Sequence, residues 1–189
     1  MPRPKTQSDE QVLAAAHRLI HDQGPEALTF ARLAQYCGLA PATLVQRFKS
    51  KSGLVQATLL YAWDRLDART VTLADEMPRT PAGAVRLLMA LSGDYGGIET
   101  YADGLLILRE DLRDPVLRAR GTAWRRTLSK ALDRCFADIP GAPKQVGLLM
   151  ASQWQGSLLW WGFDPKDDVT RFVESGLKHF VAAIMKTNA

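Results

Sequence analysis

Three observations on the 189-residue sequence predict an all-α protein. Apolar residues recur at helical spacing along almost the whole chain, no stretch alternates apolar and polar residues as a half-buried strand does, and the interruptions fall at Gly- and Pro-bearing segments. Those interruptions, at Pro78 to Pro81, Gly93 to Gly97, Arg113 to Pro115, Ile139 to Pro143 and Phe163 to Pro165, leave about five or six helices after a long fourth one, about nine in all. With 47% apolar residues the chain can bury a substantial core and fits one or two domains.

Ser8 to Gln11 reads S-x-x-Q, a capping box, and Val12, Ala16, Leu19 and Ile20 form the apolar stripe of a first helix that stops at Gly24-Pro25. Thr29 is a good N-cap for a second helix carrying Phe30, Leu33, Ala34 and Cys37 at helical spacing. Gly38 ends that helix, because glycine accepts the left-handed conformation a sharp turn needs, and Leu39 plugs the corner. Pro41 suits the first position of a third helix, whose buried face is Leu44 and Phe48. Ser50 caps the fourth, which carries Lys51 in its first turn and Leu54, Ala57, Leu60 and Tyr61 behind it and runs to about Ala74.

A short helix, a glycine turn and a second helix with almost no slack are the layout of a DNA-reading helix-turn-helix. With Leu44 inward and about 100° per residue, Ala42 and Gln46 point away from the core, flanked by Thr43, Val45 and Arg47. Gln46 can pair with adenine, Arg47 with guanine or phosphate, and Thr43 and Val45 can touch a thymine methyl or the backbone. The same side chains also suit the solvated face of an ordinary short helix.

The chain at this point resembles the TetR family of bacterial transcriptional repressors. The family's N-terminal pattern is met by Gly24, Thr29, Leu33-Ala34, Gly38-Leu39, Leu44, Phe48, Lys51 and Leu54, without a gap from Thr29 onward. The resemblance implies an N-terminal three-helix helix-turn-helix domain, residues 1–55, plus a C-terminal helical ligand-binding and dimerisation domain, residues 56–189. It implies double-stranded DNA with a near-palindromic operator as partner, a second copy of the chain as homodimer, and an unidentified small-molecule effector. Thr29, Thr43 and Lys51 match backbone-contacting positions. Ala42, Gln46 and Arg47 are expected at the bases, with Pro41 and Val45 beside them. Two positions depart from the pattern: Ala40 stands where the family usually has a capping Ser, and Val45 where it usually has an aromatic residue.

For the second domain the resemblance implies that the fourth helix links the ligand core to the DNA-binding head. It also implies that the last two helices, Lys144 to Gly162 and Asp167 to Lys186, form the dimer interface through Met150, Trp154, Leu158, Trp161, Phe172, Leu177, Phe180 and Ile184. Those same residues equally suit a monomer core, since periodicity does not say which neighbour covers a stripe. An aromatic-rich pocket for an apolar or aromatic ligand is expected among Tyr61, Trp63, Met89, Tyr95, Tyr101, Leu105, Leu108, Trp124, Leu128, Met150 and Trp154. Ordinary core packing is the competing reading for each of them.

Residues 1–56 hold seven Lys or Arg against four Asp or Glu, and the rest 17 against 16, so most of the net charge of +4 sits with the motif. Arg3 and Lys5 precede the first helix as a basic arm that can track a groove or remain solvated. No stretch has the 18 or so apolar residues of a membrane span, and no apolar signal segment follows the basic N-terminus, so a cytoplasmic, membrane-free protein is expected. Cys37 and Cys135 are too few for a metal cluster or disulfide framework, and no metal or other cofactor is expected. His17, His21 and His179 are scattered and no catalytic motif appears, so no enzyme is expected. The alternative to a regulator is a helical protein-interaction module whose helix-turn-helix has lost DNA binding, motivated by Ala40 and Val45.

Overall fold

A computed structural model describes residues 7–92 and 96–186. Among these residues there are nine α-helices and no strand: α1 (Asp9–Gln23), α2 (Phe30–Cys37), α3 (Pro41–Phe48), α4 (Lys51–Glu76), α5 (Pro81–Ser92), α6 (Ile98–Arg113), α7 (Pro115–Arg134), α8 (Val146–Phe163) and α9 (Val169–Lys186), with a 3-10 turn at Pro25–Ala27. The all-helical expectation holds, and the helix limits agree with the sequence reading to within a few residues. Arg3, Lys5 and Tyr95 lie outside the described residues.

The backbone divides into two compact units. The first comprises residues 1–65 and 103–121, the second residues 66–102 and 122–189. In the first, the capping box forms as expected: the Ser8 hydroxyl accepts from the Gln11 amide at 3.2 Å, and the Gln11 side chain accepts from the Ser8 amide at 3.0 Å. Val12, Ala16, Leu19 and Ile20 pack with Leu33, Ala34, Leu44, Leu54 and Leu59 into one core. Leu117, from a segment some sixty residues downstream that helical spacing does not connect to these helices, closes that core at 2% exposure, with Ile107 against it. Polar ties join the same segment to α4. The Trp63 indole donates to Asp111 at 2.9 Å, Gln56 to Asp114 at 2.7 Å, and Arg120 to Asp64 at 2.9 Å.

The second unit has its own core, built from Leu87, Leu88, Leu128, Leu132, Met150, Val173 and Leu177 among others. Here α9 packs on both α8 and α5. Gly176 permits close approach to α8, since a Cβ there would come within 2.9 Å of the Ser157 hydroxyl. Trp124 and Trp154 place their indoles in or beside this core and spend their N–H groups on Thr70 and Ser92. Among the described residues no helix is long and apolar enough to cross a membrane.

Candidate nucleic-acid interface

Helix α2 starts where Thr29 accepts a hydrogen bond from the Arg32 amide at 3.2 Å, and ends at Gly38 with φ 63 and ψ 34. The Leu39 amide reaches back to the Ala34 carbonyl at 3.0 Å, closing the turn. Pro41 then opens α3, whose N-cap Ala40 has no side-chain hydrogen bond to offer. Losing a capping hydroxyl costs about 1 kcal/mol. The pre-set φ of Pro41 offsets part of that. Leu44 is fully buried and is the only residue of α3 that is.

Pro41, Ala42, Val45 and Gln46 form the exposed face of α3, with Thr43 half-buried beside them. Arg47 departs from expectation. Its guanidinium turns toward α1, where one nitrogen donates to the Gln7 carbonyl at 2.9 Å and to the Asp9 carboxylate at 3.1 Å. The reason is that α3 lays its second half beside the start of α1, an encounter between residues 40 apart that helical spacing alone does not reveal. Gln7 was not singled out from the sequence either, yet its side-chain amide also donates to the Cys37 carbonyl at 2.8 Å.

The link from α3 to α4 is a γ-turn centred on Lys49, at φ 67 and ψ −47, with the Ser50 amide donating to the Phe48 carbonyl at 2.8 Å. A non-glycine residue with φ in this range stores strain. The Ser50 hydroxyl accepts from the Gly53 amide at 3.0 Å and so caps α4. Lys51 therefore sits in the first turn of a 26-residue helix, where unpaired backbone N–H groups and the helix dipole favour an anion. Its ammonium lies 3.3 Å from Glu26, an exposed pair worth little.

Several groups have shifted protonation. Burial, then the nearby His21, Arg65 and Arg18, hold the His17 imidazole below its usual value of 6.5. Burial raises the Asp111 carboxyl, and the Trp63 indole partly opposes this. Burial likewise raises both cysteine thiols, which keeps them unreactive.

The side chains expected to line a ligand pocket fall into two sets. Tyr61, Trp63, Leu105 and Leu108 belong to the first unit, the two leucines being exposed. Met89, Tyr101, Trp124, Leu128, Met150 and Trp154 belong to the second, where Leu128, Met150 and Trp154 are buried in its core. Of the residues expected at a dimer interface, Met150, Trp154, Leu158, Trp161, Leu177 and Ile184 likewise lie in the interior of the second unit, Phe180 is half-buried and Phe172 is exposed. Helix α8 is apolar round much of its circumference, so no stripe separates its inner from its outer face. Its outward apolar residues are Leu149, Leu159, Trp160 and Phe163, with Trp160 69% exposed. Between α8 and α9 runs a cleft of about 530 Å³, floored by Gly156, Ser157, Ser175 and Gly176 and rimmed by Trp160 and Phe172.

The model of the family described as "Bacterial regulatory proteins, tetR family" matches residues 12–58, the whole of the interface just described apart from its first capping residues. The chain is 27% identical to the nucleoid occlusion factor SlmA of Vibrio vulnificus over 184 residues, 93% of this chain and 88% of that protein. It is 37% identical to the HTH-type transcriptional repressor BdcR of Escherichia coli over 57 residues, 30% of this chain and 29% of that one. A transcriptional regulator from a Rhodococcus species shares its fold, with a TM-score of 0.75 at 18% identity across 96% of this chain and 97% of its own. Residues 12–58 thus match the helix-turn-helix head of the tetR family of bacterial regulatory proteins, and over nearly its full length the chain shares the fold of a solved transcriptional regulator.

Proposed function

We propose that the chain is a homodimeric transcriptional repressor that binds a near-palindromic operator and is released from it by a small-molecule effector. The observation that carries the DNA reading is the exposed row Ala42, Val45 and Gln46 on a helix held behind a left-handed glycine corner. A helix so presented fits a major groove. In this reading Gln46 pairs with adenine and Ala42 admits close approach to a base. Thr29, Pro41, Thr43, Val45 and Lys51 meet the backbone, Lys51 adding its charge to the N-terminus of α4. Residues 1–55 act as the reader, and residues 56–189 as the effector and dimer domain.

The outer face of α8 and α9 supports dimerisation. It carries both knobs, Trp160 and Phe172, and a floor of small residues, Gly156 and Gly176, so two copies related by a twofold axis can exchange one for the other. Two recognition helices about one DNA turn apart then favour a near-palindrome. The aromatic side chains Tyr101, Trp124 and Trp154 of the second unit support an apolar or aromatic effector. The name of the partial relative BdcR supports repression rather than activation. A second reading, a DNA-bound factor acting on something other than transcription, is favoured by the similarity to nucleoid occlusion factors across 93% of the chain.

The test is binding of the full chain to fragments of its own genome at several salt concentrations. Enrichment of particular fragments, with affinity falling steeply as salt rises, is expected. Equal retention of all fragments at moderate salt refutes the regulator and favours the interaction module. A monomeric mass at micromolar concentration refutes the dimer.

A further inference from the structure

Helix α3 has eight residues, buries only Leu44 and lacks a side-chain cap. Leu44, with the half-buried Phe48 one turn on packed against the same core, is the apolar anchor of this short helix. The second anchor is Arg47, whose side chain is 22% exposed and whose guanidinium is shared between the Gln7 carbonyl and the Asp9 carboxylate. Gln7 in turn holds the Cys37 carbonyl, so a single residue joins the end of α2 to the second half of α3. Both acceptors engage the same nitrogen, Nη1, and tether the guanidinium beside α1, so a base contact by Arg47 would have to come from its other N–H groups in that tethered position or give up two acceptors, one of them charged. Asp9 also offsets the charge that would draw Arg47 to phosphate.

We propose that Arg47 is a positioning residue, which through Gln7 and Asp9 fixes the rotation of α3 and thereby aims Gln46, and that its guanidinium does not itself read DNA. This rests on α3 being the recognition helix. Because Gln46 is the adjacent residue, a rotation of α3 released by loss of the clamp carries its amide away from the base edge it would pair with.

The experiment uses the full chain and a duplex enriched from a random pool by the wild-type protein, with a scrambled duplex as reference. Affinity for both is measured against salt for Arg47→Gln, Asp9→Asn, the double variant and Asp9→Glu. Arg47→Gln and Asp9→Asn are each expected to lower the preference for the enriched duplex about fivefold. The double variant is expected to lose no more than Arg47→Gln, Asp9→Glu to keep most of the preference, and the salt slope to stay unchanged. The proposal is overturned if Arg47→Gln weakens both duplexes equally and flattens the slope by about 0.9, the mark of a lost phosphate contact, while Asp9→Asn tightens both. If the wild type enriches no duplex, the DNA reading falls and the proposal with it. Amide exchange in α3 separates the two failures: faster exchange in Arg47→Gln shows that the clamp holds the helix whatever it reads, and unchanged exchange removes the clamp itself.

Discussion

Gly53→Ala probes the junction between the helix that faces outward and the long helix behind it. A Cβ at position 53 would lie 2.4 Å from the Phe48 carbonyl oxygen and 3.3 Å from the Ser50 hydroxyl. Carbon and backbone oxygen rest no closer than about 3.3 Å, so the carbonyl must retreat by about 1 Å. It is not free to do so, because it accepts the Ser50 amide at 2.8 Å across the Lys49 turn. Overpacking of this kind costs about 1–3 kcal/mol. Better helix propensity returns at most about 1 kcal/mol, and less in a first turn. The expected net is a loss of about 1–2 kcal/mol. Gly104→Ala is the matched control, since a Cβ there meets nothing within 4 Å in the middle of α6. The same chemical change is expected to stabilise by about 0.5–1 kcal/mol. Urea unfolding followed by circular dichroism reads both. Shifts of the same sign, or a Gly53→Ala protein as stable as the wild type, would refute the steric argument.

Lys49→Gly should raise stability by about 1 kcal/mol by relieving the positive φ, read as a higher urea midpoint; a lower midpoint would contradict the strain. The depressed His17 value predicts an acid limb. Its contribution is fully present above 6.5 and is lost as pH falls from there through the lower folded value, because the unfolded chain then binds the proton more readily. His17→Gln should remove that part of the pH dependence, and an unchanged limb below 6.5 would assign it elsewhere. Gln46→Ala should relax preference at one base pair by about 1–3 kcal/mol, whereas Lys51→Ala should weaken all duplexes and reduce the salt slope. Equal losses on enriched and random duplexes for Gln46→Ala would remove its assignment.

What could be read from the sequence was whatever depends on near neighbours. Ser8 with Gln11, Thr29, Gly38 and Pro41 act within a few residues of themselves, and each does in the structure what its chemistry dictates. What could not be read depends on distant encounters. Arg47 and Gln7 are 40 residues apart, and Trp63 and Asp111 are 48 apart. No periodicity marks such pairs. The α8 residues fail to sort for a related reason. Met150, Trp154 and Trp160 share one apolar alphabet, yet the first two are interior and the third is 69% exposed. Only the packing of α9 and α5 decides which side is inside.

The closing of the first core by Leu117 has a consequence in time. Val12, Leu33, Leu44 and Leu54 are synthesised early, but the leucine that completes their packing is encoded far downstream, after α5 and α6. The reading head therefore cannot reach its final stability while it is the only part of the chain that has left the ribosome. It must wait, incompletely covered, for a segment made after part of the other unit. A fragment cut after α4 stays in that waiting state permanently, with Ile107, Leu117, Asp111 and Asp114 all missing from their places around Trp63, Gln56 and Leu59.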